Sequence, residues 1–446
     1  MGNIITLQVG QCGNQIGSEF WEKVCKEHGL SNSGEVLQQR SNDRKDAFFY
    51  ESYDGRYFPR GILIDLEPRV ISSVTNEKPH LFSPENVWVG AESRGAGNVW
   101  SSGYQQGKEN RESLLEIIQK ESESSDFLDG FMLFHSVGGG TGSGLGSYLL
   151  EEIRDCMPKT SIFTVSIFPN NTEVSESVVQ PYNTVLTLHR LMQQTDGVIA
   201  MDNGSLTSVV GDALKLSSPN LAYTNKLASS VAAASTATLR FPGSRFSDVS
   251  TLLSMASPIK GCHFLVPSYS PFIDPGTNTI RKTTCLDVQR RLILPKSRLV
   301  NFEESETNRV LSAVNIMMGV DAGEIEKSMQ RLRQREVVKF APWAPANIQM
   351  AISKSPCSSI SGLLLSNTTG FGRTLQKITT QYDILKKRNA FLDMYKREGD
   401  EYIEEFEPAR ESVQWIMDEY RKAELSNYPE VCNMQAERQN PQELLQ

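Results

Sequence analysis

Five glycines fall within the seven residues Gly138-Gly139-Gly140-Thr141-Gly142-Ser143-Gly144. Backbone N–H groups without Cβ atoms around them suit a close-lying anion, and a helix start adds a favourable dipole. Thr141 and Ser143 add hydroxyl donors, so the ligand this cradle fits is a phosphate chain. A flexible linker or tight turn is the competing reading, and a setting between a strand and a helix makes it the minority one. No lysine follows the glycines as a P-loop requires, and no window has the G-x-G-x-x-G spacing. A second group is Asp65-Leu66-Glu67-Pro68, whose carboxylates at i and i+2 suit a hydrated magnesium ion. Two turns, Gly10-Gln11-Cys12-Gly13-Asn14-Gln15 and Arg94-Gly95-Ala96-Gly97-Asn98, offer amides and backbone donors, the latter for a terminal phosphate. Each turn alone reads as a plain surface turn; their joint placement at successive strand ends argues for a ligand.

The elements that must position these groups alternate. Short apolar runs at 4–9, 61–66, 131–137, 161–168 and 197–201 read as strands of a sheet covered on both faces. Helical patterns lie between them at 15–28, closed by Gly29, and at 111–121, 145–156 and 178–192. That is a doubly wound α/β layout, in which ligands bind beyond the carboxyl ends of the strands. A small-residue helical stretch follows at 221–239. Mixed elements continue to about 362–366, and the end is helical, with segments 374–398 and 408–424, Pro408 placed to start the second. From Val431 the composition turns polar and reads as a loose tail.

Composition narrows the function classes. A formal charge of −8 over 446 residues argues against a nucleic-acid partner. The seven cysteines form no C-x-x-C pair, so neither a zinc site nor a disulfide framework is suggested. No apolar stretch reaches the ~18 residues of a membrane span. Met1-Gly2-Asn3-Ile4-Ile5-Thr6 fits a myristoylation pattern, but Ile4, Ile5, Leu7 and Val9 read as a core strand with Gly2 at the base of a sheet. The five histidines lack metal-ligand spacing. The residues alone specify a magnesium-dependent, nucleotide-binding α/β protein.

The glycine heptad, Gly-Gln-Cys-Gly-Asn-Gln, Asp-Leu-Glu-Pro and Gln180-Pro181-Tyr182-Asn183 stand in the order and spacing of the tubulin family, and the resemblance covers nearly the whole chain. It implies a tubulin-like fold: a GTP-binding domain over 1–202, a mixed α/β intermediate domain over 203–366, and a C-terminal helical domain with a short tail over 367–446. It also implies GTP or GDP with Mg2+ as ligands. Gly10, Gln11, Cys12 and Gln15 would line the phosphates, with Ser136, Gly139, Gly140, Thr141, Gly142 and Ser143 cradling them. Asp65 and Glu67 would order the magnesium water shell, and Ala96, Gly97 and Asn98 would meet the γ-phosphate. Glu176 stands at the ribose position, Asn203 and Asn225 at the guanine edge, and Leu221 where an aromatic ring usually stacks on the base. Leu221 implies weaker stacking.

Several stretches resemble the γ branch of that family, among them 44–50, Tyr57-Phe58-Pro59-Arg60, 65–71 and 281–288 with Arg290-Arg291-Leu292. Gln180 stands where α and β chains carry glutamate, and the tail lacks their glutamate-rich ending. The filament loop differs too. Where α-tubulin carries the acid that activates water on the nucleotide below, this chain has Thr251, which is no general base at neutral pH; Asp248 is nearby, and Phe246 replaces an asparagine. The resemblance thus implies a structural GTP-binding protein with at most weak GTPase activity and no catalytic residue of its own. Its expected partners are α/β-tubulin on the nucleotide face, scaffold proteins of a nucleating complex and lateral copies of itself, at a microtubule-organising centre or spindle pole in the cytoplasm. No nucleic-acid or membrane partner is expected. A filament-forming GTPase and a small-molecule enzyme on the same fold are the competing classes.

Overall fold

The apolar runs become strands in the computed structural model, which describes residues 2–40, 43–90, 94–170, 177–216, 218–243, 246–272, 283–333, 338–354 and 359–430. In chain order the strands are β1 (Asn3–Val9), β2 (Phe49–Glu51), β3 (Tyr57–Pro59), β4 (Gly61–Asp65), β5 (Val87–Val89) and β6 (Leu128–Ser136). There follow β7 (Ser161–Phe168), β8 (Gly197–Asp202), β9 (Phe264–Ser270), β10 (Val310–Met318), β11 (Ile348–Ser353) and β12 (Ser361–Thr368). Ten of them form one sheet in the order β11-β10-β12-β9-β8-β7-β6-β1-β4-β5, while β2 and β3 make a separate hairpin.

From β5 to β9 every neighbouring pair is parallel. The chain leaves β1 toward β4 on one side and returns to β6 on the other, so β1 marks the reversal of strand order. Leu7 lies opposite Ile62 on one flank and Leu133 on the other. Beyond that reversal the carboxyl ends of β1, β4 and β6 open a crevice. The sheet runs without a break across the expected 202/203 boundary, because Val198 and Ile199 of β8 pair with Phe264 and Leu265 of β9.

Alternation along β1 distributes the core to both faces. Ile5, Leu7 and Val9 join the layer that holds helices Gly146–Cys156, Gln180–Gln194, Phe371–Lys387 and Phe406–Ala423. Ile4 points the other way, into the layer of helix Gly10–His28 and the central helix Leu221–Ser235. Gly2 is buried at the base of the sheet, where an added Cβ would lie 2.6 Å from the Phe127 ring.

Several element bounds depart from the expectation. The first helix begins at Gly10 rather than Gln15, so the expected turn 10–15 is helical from its first residue. The central helix ends at Ser235, not Leu239. Its last carbonyls are taken by side chains: Thr236 Oγ1 donates to Ala233 O at 3.1 Å and Arg240 donates to the same oxygen at 2.6 Å. The segment expected as one helix over 374–398 is Phe371–Lys387 and Leu392–Lys396, divided by left-handed Asn389 (φ 48°) and Phe391 (φ 61°). The last helix starts at Phe406, with Pro408 within its first turn, where its missing N–H costs nothing. Helices Pro68–Glu77, Trp100–Glu109 and Asn203–Leu214 were not expected from periodicity. No helix among the described residues is long and apolar enough to cross a membrane. Glu176, Arg281-Lys282 and the tail from Val431 lie outside the described residues.

Candidate functional site

The glycine heptad leaves β6, makes a π-type turn over Thr141–Leu145 and enters helix Gly146–Cys156, a later start than the expected Leu145. Its glycines do different jobs. A Cβ on Gly144 would lie 2.0 Å from Trp100 O, and one on Gly140 would lie 2.7 Å from Ala96 Cβ and 2.8 Å from Val99 N. One on Gly142 would meet Ser136 N at 3.0 Å. These three allow backbone to pack on backbone. Gly139 alone has nothing within 4 Å of its missing Cβ and faces open space, as a phosphate cradle must. Thr141 is half-buried at the loop edge. Ser143 departs from the expectation of a ligand donor: its side chain is buried and its hydroxyl donates to Gly139 O and, at 3.3 Å, to Gly140 O. The tight turn pulls those carbonyls within its reach.

The other strand ends converge on this loop. Gly10, at φ 73°, lies against Gly142 N and Thr141 Cβ. Asn14 Nδ2 donates to Gly10 O and to Ile64 O, both at 3.0 Å, which ties the first helix start to the end of β4. Gln11 is exposed and Cys12 half-buried; desolvation pushes the Cys12 thiol up to about 12, so it stays protonated. Asn225 Nδ2 donates to Gln15 Oε1 at 3.4 Å, which brings the central helix to the same crevice. The 94–98 turn contains Gly97 at φ 54° and Asn98 at φ 59°, a pair of conformations that glycine and asparagine tolerate best. Ala96 is buried under it, while Gly97 and Asn98 are exposed with open space beyond Gly97.

Asp65 ends β4 and Glu67 stands at the N-cap position of the following helix without a side-chain capping bond. A Cβ on Gly95 would lie 2.2 Å from Glu67 Oε1, so the carboxylate pair and the 94–98 turn are neighbours. Asp65 is buried, its Oδ2 has no hydrogen-bond partner, and burial raises its pKa to about 6. A hard cation bound there would offset that desolvation. Two carboxylates completed by water and phosphate oxygens fit magnesium, and no cluster of three metal-ligating side chains exists among the described residues. Asn203 is exposed at the end of β8, where Asp202 caps the helix that Asn203 opens. Leu221 opens the central helix with 68% of its surface exposed, available to a base plane.

Two residues that hold the loops were missed as site residues. Asn183, fully buried on helix Gln180–Gln194, donates to Asn98 O, Gly138 O and Gly139 O at 2.8–3.1 Å, joining the turn to the heptad. Its sequence signal was its place in Gln180-Pro181-Tyr182-Asn183, a segment read for the family resemblance but not as part of the site. His135 of β6 donates from Nδ1 to Gly142 O at 2.9 Å and accepts from Ser166 Oγ at Nε2 at 2.7 Å. Burial lowers its pKa to about 4, so the ring is neutral with its proton on Nδ1. In the sequence it looked like one more core residue of a strand.

A glycine cradle, a carboxylate pair and amides at the switch point of a doubly wound sheet define a nucleotide-binding protein. Residues 3–211 match the Tubulin/FtsZ family, GTPase domain, and residues 261–380 match the Tubulin C-terminal domain. The chain belongs to the tubulin superfamily, and its GTPase domain implies binding of GTP and GDP.

Proposed function

We propose that this chain is a γ-type tubulin: a GTP-binding structural subunit that templates and caps microtubule minus ends. The observation that carries the reading is at the start of helix Val249–Ala256. Thr251 is exposed there, and the neighbouring carboxylate, Asp248, accepts from Thr251 N at 2.9 Å and Thr251 Oγ1 at 2.5 Å. Among the described residues of that turn, the one acid, Asp248, commits its Oδ2 to capping the helix, and Thr251 itself offers no carboxylate to activate water on a nucleotide held by a subunit below. Such a subunit binds GTP yet does not complete hydrolysis for a second copy of itself, which suits a seed better than a filament lattice.

Within this reading, Asp65 and Glu67 would hold the water shell of a magnesium ion, whose charge would offset that of the phosphates when bound. Gly139, Gly10 and the 94–98 turn receive the phosphate chain, and Asn203 and Asn225 read the guanine edge. The nucleotide face receives α-tubulin, the lateral edges meet further copies, and the opposite end meets scaffold proteins at a microtubule-organising centre or spindle pole. Long sequence matches to the γ branch support this over an α- or β-type subunit.

The test is to add the purified chain to α/β-tubulin below its spontaneous assembly concentration, with and without scaffold proteins, and to image its position. New microtubules carrying the chain at one end only support the template role. Incorporation along the lattice, or filaments of the chain alone, would mean a polymer subunit instead.

A further inference from the structure

Asn183 is saturated. Its Nδ2 serves Asn98 O, Gly138 O and Gly139 O, and its Oδ1 accepts the Trp100 N–H at 2.9 Å and the Tyr395 hydroxyl at 2.6 Å. Three of these partners belong to the two loops that frame the open space beside Gly139, and a fourth, the Trp100 N–H, opens the helix that follows the 94–98 turn. The fifth comes from the other end of the chain. Tyr395 sits in the short helix Leu392–Lys396, which the left-handed residues Asn389 and Phe391 fold back toward helix Trp100–Glu109. Its ring is gripped edge-on by Tyr182 at 5.7 Å and Phe406 at 5.1 Å, so its position does not depend on the hydroxyl.

We infer that Tyr395 is a positioning residue for the two phosphate loops, the heptad and the 94–98 turn, through which the C-terminal helices act on GTP binding. With its hydroxyl in place, the Asn183 amide is held in one orientation and the heptad and the 94–98 turn keep one spacing. Without it, Oδ1 retains a single donor in a dry site, and the amide gains freedom that both loops share. The same C-terminal segment is anchored twice more around helix Trp100–Glu109. Tyr402 donates to Gln105 Oε1 at 2.7 Å, and Arg190 bridges Glu405 at 2.6 Å and Glu151 at 2.5 Å. A contact that displaces residues 392–405 therefore pulls on Asn183. One of the two loops touched, the 94–98 turn, is the one assigned to the terminal phosphate, so the effect falls on GTP more than on GDP. This inference rests on the GTP-binding reading.

The test compares the full-length wild-type chain with Tyr395→Phe and Tyr182→Phe by titration with fluorescent GTP and, separately, GDP analogues in magnesium buffer. Tyr182 is the control, because its buried hydroxyl has no hydrogen-bond partner and lies in the same aromatic cluster. Tyr395→Phe is expected to weaken GTP about 3- to 10-fold and GDP by clearly less, while Tyr182→Phe leaves both within about twofold. Amide hydrogen exchange in 95–100 and 138–144 of the nucleotide-free protein should quicken in Tyr395→Phe and not in Tyr182→Phe. Equal losses of GTP and GDP, or unchanged GTP affinity with unchanged exchange, overturn the inference. A wild-type chain that binds neither nucleotide overturns the GTP reading itself, and this inference with it.

Discussion

One carboxylate oxygen of Asp248 holds both donors of Thr251, the backbone N–H at 2.9 Å and the hydroxyl at 2.5 Å. Asp248 is thus the N-cap of helix Val249–Ala256, satisfying a donor that the helix itself leaves open. Asp248→Ala should cost about 1 kcal/mol of stability, read as a lowered urea midpoint. A variant as stable as the wild type would return Asp248 to the pool of free acids.

Under the proposed function, Thr251→Glu places an acid at the position that would face a nucleotide below in a head-to-tail stack. In preparations concentrated enough to stack, GTP turnover should rise by roughly 10²-fold, the usual contribution of a placed general base. Turnover that stays at the wild-type level would show that this loop does not approach the neighbouring nucleotide.

The heptad glycines should separate by function. Gly144→Ala drives a methyl to 2.0 Å from Trp100 O and should destabilise the fold by about 1–3 kcal/mol. Gly139→Ala meets open space, so stability should change by less than about 0.5 kcal/mol, while GTP affinity falls roughly tenfold, ~1.4 kcal/mol. Thermal melts and nucleotide titrations on both variants check the pair. Equal behaviour in the two assays would contradict the division.

Leu221→Phe places a ring on an exposed helix start beside the guanine-edge residues. GTP should bind about fivefold tighter, the ~1 kcal/mol surplus of an aromatic stack. Unchanged or weaker affinity in a direct titration counts against Leu221 as the base platform.

Stability should rise with pH between about 4 and 6.5. Burial lowers His135, His189 and His263 to about 4, and lowers His28 as well. In that window the unfolded chain binds more protons at these sites than the folded one, so raising pH favours the fold. Asp65, raised to about 6, opposes this from about 4 to 6, as do Glu19, Glu121, Asp202 and Glu405, which burial also raises, while Glu27, Asp43 and Glu152, held low by neighbouring cations and hydrogen bonds, act with the histidines. Urea midpoints measured at three pH values without magnesium or nucleotide check the slope. A flat or falling curve would mean that the histidines hydrate in the native state.

Much of this was legible because it is local. The strand cores and the glycine run between β6 and its helix follow from periodicity and from backbone freedom. The acids at Asp65 and Glu67 and the loop position of Thr251 follow from neighbours in sequence. Helix Trp100–Glu109 was not legible, because its polar residues and glycines carry little apolar period; it is held by tertiary contacts such as Trp100 Nε1 to Ser147 Oγ at 3.1 Å. The inward turn of Ser143 was equally hidden, since the choice between a ligand and its own loop carbonyls depends on how tightly the turn closes.

The amino-acid sequence by itself determined the α/β class, the anion-binding chemistry and which loops would carry it, since those depend on residue type and short-range spacing. Only the tertiary structure decided which glycines are spacers and which face open space. It also decided that Asp65 is buried without a partner and that Asn183 joins two loops to Tyr395, 212 residues away in the chain. The physical reason is distance: a buried hydrogen bond has its strength from the walls that exclude water, and those walls come from segments far apart in sequence.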